Sequence, residues 1–340
     1  MKNILWIMCA LLCMQCTNNK SERIDSKIGY DFDSQEQIVF SEIPYPDILG
    51  STMQIVKKDS LLFINEFHGD SLIRIFNLNN NRILKYLVSV GNGPNELISP
   101  LELQAVGNKL WMLSRPLHLM NHISFSNIDS TPILSQDGLI KSEADCFIPL
   151  DDSNVVLSGF FSKRYGLMNF QDKNLLKEFG DYPDFWINEK DIPVTAKSMF
   201  HQCRFAINTQ KQLFASGSYF VLDIYKYDVD SKDVPELKFR KQLGEYEYDF
   251  ESGGRVTATL RPGADPASVD VIGGDEHIYV IVQDEQNRKN RNIMVLDWDG
   301  KPVKLLKSGK RITCLTVDEA EGIGYCIIQD PEDKLVSFKL

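Results

Sequence analysis

The chain reads as an all-β protein: a six-bladed β-propeller of four-stranded antiparallel blades, closed by an N-terminal strand that completes the last blade. Three observations predict this. From residue 51 to the C-terminus, short runs rich in β-branched and aliphatic residues alternate with Asn, Gly and Asp punctuation. The runs group into sets starting at 51, 101, 145, 201, 268 and 311, spaced 43 to 67 residues apart, at or above the roughly 40 to 50 residues of one blade. The final set has only three runs, so its fourth strand must come from elsewhere.

The first set is "STMQIVKKD", "SLLFINEF", "SLIRIFNL" and "RILKYLVSV". The second runs from "LELQAVGN" to "TPILSQ", the third from "DCFIPLDD" to "NLLKEFGD", and the fourth from "HQCRFAINTQ" to "LKFRKQL". The fifth opens with "SVDVIGGD", and the sixth is "RITCLTVD", "IGYCIIQD" and "KLVSFKL". The extended stretch "EQIVFSEIP", Glu36 to Pro44, is the candidate for the missing strand. Pairing beside Lys334 to Leu340 would close the ring and cover an exposed edge. A pair of β-sandwiches is the competing arrangement, but it leaves the three-stranded last set unexplained. Two irregular stretches, Asp181 to Thr195 and Glu245 to Pro266, read as loop insertions on one face.

The first residues, MKNILWIMCALLCMQC, differ from everything that follows. Lys2 precedes an apolar stretch, Ile4 to Met14, that would be only about 16 Å long as a helix against roughly 30 Å of bilayer hydrocarbon. That length fits a secretory signal. A cysteine at its end followed by the polar TNNKSER resembles a bacterial lipoprotein signal, and by that resemblance Cys16 becomes the lipidated first residue. The expected organisation is a signal peptide over 1–15, a polar tether over 16–34 and the propeller over 35–340. Plain secretion and an uncleaved anchor are the alternatives.

Lysine and arginine total 37 against 47 acidic residues, a net charge of −10. That balance argues against a nucleic-acid partner. Cys146, Cys203, Cys314 and Cys326 match no zinc spacing. Cys314 and Cys326 would either bridge a hairpin or act as small buried hydrophobes.

"VSVGNGPNEL", Val88 to Leu97, offers a choice between a phosphate cradle and a corner. A phosphate loop must open a helix, whereas here a proline and alternating apolar residues follow. Gly91 and Gly93 suit positive φ in a tight turn, and Pro94 fixes the exit. A strand, then Gly91, Gly93, Pro94 and Glu96, then another strand is similar to the blade-crossing signature of the six-bladed, TolB-like propeller lipoproteins of Gram-negative bacteria. Asn95 stands where that family often has another glycine. The resemblance implies a cell-envelope lipoprotein of undefined ligand and brings no catalytic residues with it.

Catalytic motifs are weak. His118 and His122 lie at i, i+4, but on a strand that spacing is about 13 Å, too far to share an ion. Glu102, Asp145, Asp270 and Asp318 fall on the runs expected innermost, without a common offset. A hard cation needs six or more converging oxygens. Ser158-Gly159 and Ser216-Gly217 lack the frame of a nucleophile elbow. No catalytic residue, metal site or cofactor is therefore expected.

Binding is expected on the face that carries the second-to-third strand turns and the blade crossings. It should collect Phe67, His68, Arg115 and Lys163, then Arg164, Tyr165, Tyr219 and Arg255. Aromatic rings beside guanidinium groups suit a carboxylate, sugar or peptide ligand, and the expected partner is a protein, peptide or glycan. The expected function is thus a lipid-tethered binding scaffold. The alternative is a lactonase- or lyase-like propeller enzyme with a divalent metal in the central channel.

Overall fold

The computed structural model describes residues 29–67, 69–128, 134–139, 144–170, 174–184, 192–231, 233–244, 248–251, 257–260 and 268–340. The N-terminal segment supplies two short strands, β1 (Gln35–Gln37) and β2 (Ser41–Glu42). Blade one then follows as β3 (Thr52–Lys58), β4 (Leu61–Glu66), β5 (Ser71–Asn77) and β6 (Arg82–Val90), with β7 (Glu96–Leu97) at its edge. Blade two is β8 (Leu101–Val106), β9 (Lys109–Ser114), β10 (Leu119–Ser124) and β11 (Ser135–Leu139). Blade three is β12 (Ala144–Pro149), β13 (Asn154–Gly159), β14 (Tyr165–Asn169) and β15 (Asn174–Phe179). After helix α1 (Val194–Phe200), blade four is β16 (Cys203–Asn208), β17 (Leu213–Ser218), β18 (Val221–Lys226) and β19 (Glu236–Gln242).

A separate hairpin, β20 (Tyr248–Glu251) and β21 (Thr257–Leu260), precedes blade five. That blade is β22 (Ser268–Gly273), β23 (His277–Gln283), β24 (Arg291–Asp297) and β25 (Pro302–Lys307). Blade six is β26 (Arg311–Asp318), β27 (Ile323–Gln329) and β28 (Asp333–Lys339). The first strands of neighbouring blades meet around the centre. Among the described residues, no helix is long and apolar enough to cross a membrane.

The packing explains why the central runs are continuously apolar instead of alternating. Successive strand residues point to opposite faces of a sheet, and in a ring both faces are covered by the next blade. On β4, Leu62 and Ile64 pack toward Cys314, Tyr325 and Ile327 of blade six. Phe63 between them packs toward Leu103, Leu110 and Met112 of blade two. All three are fully buried. Comparable apolar clusters join blades two and three, three and four, four and five, and five and six. Burial weakens on the innermost strands that line the channel, such as β3, and further on the outer strands, as on β6, where Arg82, Leu84 and Tyr86 are exposed.

The N-terminal stretch differs from the single strand expected. It splits between two blades. Gln35–Gln37 runs parallel to β25 of blade five, and only Ser41 and Glu42 pair with β28, opposite Ser337 and Val336. Between them Ile38 is buried in the cluster shared by blades five and six.

The glycine turn is a corner. Glu96 returns its carboxylate to the Gly93 N–H at 2.8 Å, and the Gly91 N–H donates to the Leu97 carbonyl. The positive φ expected at both glycines is instead found at Gly91 (+155°) and Asn95 (+63°). A Cβ at Gly93 would lie 2.9 Å from Glu96 Oε2, so a larger residue there would displace the Glu96 carboxylate from its bond to the backbone. Asn tolerates the left-handed region better than most residues, so Asn95 can replace the family's usual glycine.

Candidate functional site

Each blade contributes the beginning of its first strand to one mouth of the channel. Glu102, Asp145 and Arg204 are each the second residue of β8, β12 and β16. Gln54 and Asp270 are third on β3 and β22, displaced by bulges at Met53 and Val269. Once these bulges are counted, Gln54 and Asp270 fall in step with Glu102 and Arg204. Asp145 is itself the bulged residue of β12 and Asp318 ends β26, so the four carboxylates share no common offset, as expected.

Two charge groups organise this mouth. Arg204 reaches across the channel from blade four to the buried Glu102 of blade two. Burial pushes Glu102 above the usual carboxylate range, with Arg204 opposing. Asp270, half-buried beside them, is raised to about 6 by burial, against the attraction of Arg204. Nearer the surface, Arg115 Nη2 donates to Asp145 Oδ1 at 2.7 Å, and Gln202 Nε2 donates to Oδ2 at 2.9 Å. Arg115, Asp145, Gln202, Arg204, Ser218 and Tyr219 line a cavity of about 150 Å³.

A third, sealed group lies behind Ser218. Asp223 is wholly buried between two guanidiniums, with Arg240 Nε at 2.8 Å and Arg164 Nε at 3.3 Å. Burial alone would raise its carboxyl, but Arg240 and Arg164 together hold it below the usual value. Arg164 Nε also donates to the Tyr165 hydroxyl at 2.5 Å, and that hydroxyl donates to Ser216 Oγ at 2.7 Å. Burial, with Arg164, Arg240 and Lys197 nearby, keeps the His201 ring well below its ordinary value and so neutral.

The expected binding residues separate accordingly. Arg115 and Tyr219 border the cavity and are partly exposed. Phe67 is exposed on the same face in the blade-one turn, away from the cavity. Lys163 is exposed and paired with Asp181. His68 and Arg255 lie outside the described residues. Arg164 and Tyr165 are not exposed turn residues as expected: they are 1% and 0% accessible. The polar string "SKRYG" hides the turn's inward fold, which inserts Arg164 between blades three and four to meet Asp223.

Sequence reasoning also missed Arg204, Gln202, Asp223, Arg240 and Ser218. Only Arg204 left a signal, a charge flanked by the buried Cys203 and Phe205 on a first strand. Of the carboxylates considered for a metal, Glu102 pairs with Arg204, Asp145 with Arg115, and Asp318 with Lys57 toward the other mouth. They neutralise cations of the chain instead of converging on one point. No group of three or more metal-ligating side chains occurs among the described residues. His118 sits in a turn at φ +49°, and the ring of His122, on β10, lies tilted against Trp111. Cys314 and Cys326 are out of register, opposite Ile327 and Leu315, and all four described cysteines are buried free thiols.

A protein of Bacteroides fragilis NCTC 9343 described as exported shares the architecture at 10% identity and a TM-score of 0.55, over 88% of this chain and 94% of that one. The structure of U3-55K is similar at 9% identity and a TM-score of 0.53, over 88% and 98% of the two chains. At such identities the likeness concerns the fold alone. No curated protein sequence matches the chain. Residues 34–320 match the family described as TolB-like 6-blade propeller-like. With six blades on one ring and that match over most of its length, the chain belongs to the TolB-like six-bladed propeller family.

Proposed function

We propose that this protein is an envelope-anchored binding propeller whose ligand enters the channel mouth on the crossing face. The observation that carries this reading is the polar cavity bordered by Arg115, Gln202, Arg204 and Tyr219, at the one end of the channel where the partly exposed guanidinium and ring residues gather. Helix α1, which follows the first long insertion, packs against strand β21 of the second. The apolar leader ending in Cys16 and the exported relative of the same fold support an envelope location.

Two measurements test this. Cys16→Ser should move the protein from the membrane to the soluble fraction and abolish labelled fatty-acid uptake; a membrane-bound variant would defeat the anchoring. Arg115→Ala and Tyr219→Ala should each weaken retention of whatever glycan or peptide an array identifies, by roughly tenfold or more if the contact is a buried hot spot. Lys211→Ala, on the opposite face, should leave it unchanged. Loss with Lys211→Ala alone would put the site on the other side.

A further inference from the structure

Beneath the mouth, the charge does not balance. Arg164, Asp223 and Arg240 are buried together, two guanidiniums against one carboxylate. Among the described residues no second carboxylate reaches either arginine. Arg164 Nη1 is buried without a hydrogen-bond partner. An uncompensated buried charge is costly and an orphaned charged N–H more so. The excess is placed in a protein whose net charge is −10.

This cluster communicates with the cavity through one side chain. Arg164 Nη2 donates to Ser218 Oγ at 3.3 Å, and Ser218 lines the cavity. The Ser218 hydroxyl rests on the Val221 carbonyl at a long 3.4 Å, a weak bond that an arriving acceptor can replace. Arg115 and Gln202 each spend one nitrogen on Asp145, and a guanidinium has five N–H donors in all. Donors thus converge on a small space from the wall and the rim.

Resting on the reading of this mouth as the binding site, we infer that the cavity receives the carboxylate of its ligand, whose single negative charge completes the Arg164–Asp223–Arg240 cluster across Ser218. Asp145 at the rim and Asp270 below it disfavour a dianion, so phosphate fits less well than a carboxylate. About 150 Å³ admits the acid group and a few further atoms. The same chemistry is offered by a sugar acid and by a peptide C-terminus.

The test is thermal melting of the purified full-length protein at constant ionic strength. Glucuronate is compared with glucose, triglycine with its C-terminal amide, and inorganic phosphate with chloride. A carboxylate probe should raise the Tm by several degrees and its neutral counterpart by none, the responding pair identifying a sugar acid or a peptide terminus. Arg164→Met should abolish the response while melting, without ligand, within a couple of degrees of the wild type or above it, because Asp223 and Arg240 remain as a neutral pair. Gln202→Glu, at the rim, should abolish it with the cluster intact. Equal responses to acid and neutral probes would overturn the inference while leaving the mouth as the binding site. So would a larger response to phosphate, an unaltered response in Arg164→Met and Gln202→Glu, or no response to any carboxylate.

Discussion

Replacing Asp223 by Asn tests how the sealed cluster between blades three and four is held. The side chain keeps its shape and loses its charge, leaving Arg164 and Arg240 facing each other with no carboxylate between them. Removing one partner of a buried ion pair costs about 3–5 kcal/mol, because the remaining charge stays desolvated. Unfolding entropy of about 2.1 cal/mol/K per residue gives roughly 0.6 kcal/mol per degree for the 276 described residues. The Tm at pH 7 should therefore fall by about 5–8 °C.

The pH dependence supplies an independent check. Asp223 has a folded-state pKa below its ordinary value. Its contribution is therefore present above the unfolded pKa of about 3.9 and disappears as pH falls through the lower folded value. The gap between wild type and Asp223→Asn should be full at pH 6–7 and narrow below about pH 4. Calorimetry of both proteins across that range is the assay. A variant melting within one degree of wild type at pH 7, or a gap unchanged by acid, would refute the account of the cluster.

Asp270 has the opposite sign. Burial raises its folded pKa to about 6, so it costs stability once the unfolded chain would ionise it, and the cost grows from about pH 4 to pH 6. Asp270→Asn should be more stable than wild type by about 1–3 kcal/mol at pH 7 and equal to it at pH 4, read from urea midpoints. Deleting the chain up to Pro44 removes Gln35–Gln37 from blade five, Ser41–Glu42 from blade six and Ile38 from the core between them. Compared with a protein starting at Gly29, it should melt several degrees lower and aggregate through its uncovered edges; equal melting and solubility would mean that the segment does not hold the ring.

The blade pattern was legible because ring packing leaves a strong mark on sequence. Runs such as "LLFIN" and "HIYVIV" need apolar residues on both faces, and polar punctuation marks every turn. The crossing at Gly91 was legible for a similar reason, since its φ of +155° favours glycine. The split of the N-terminal stretch was not legible. Two or three residues of pairing carry too little pattern to choose between neighbouring edges.

The mouth was only half legible, and the reason is geometrical. Channel-facing positions come from five strands far apart in sequence, and a bulge of one residue exchanges the two faces of a strand. Bulges at Met53 and Val269 moved Gln54 and Asp270 out of step with Glu102 and Arg204, so the polar positions looked scattered. Arg164 shows the converse error. A polar turn was read as exposed because nothing local reveals that Asp223, 59 positions on, and Arg240 beyond it will enclose it.

These two failures bear on function in opposite directions. Of the carboxylates that suggested a hard-cation site, Glu102 and Asp145 are held by arginines at this mouth and Asp318 by a lysine toward the other, which leaves Asp270 alone among them without an ion pair to the described residues. The arginine expected to touch a ligand is withdrawn behind Ser218, where it shapes the field of the cavity instead of its surface. A charge in that position acts over a few ångströms of low-dielectric protein and is screened far less than one on an exposed loop. Its effect on a ligand should therefore persist in salt. Raising the ionic strength from 0.05 to 0.5 M should weaken carboxylate binding by only a few-fold if Arg164 supplies the attraction, and much more steeply if exposed Lys163 does. A steep dependence, abolished in Lys163→Ala and retained in Arg164→Met, would move the source of the field from the buried cluster to the surface.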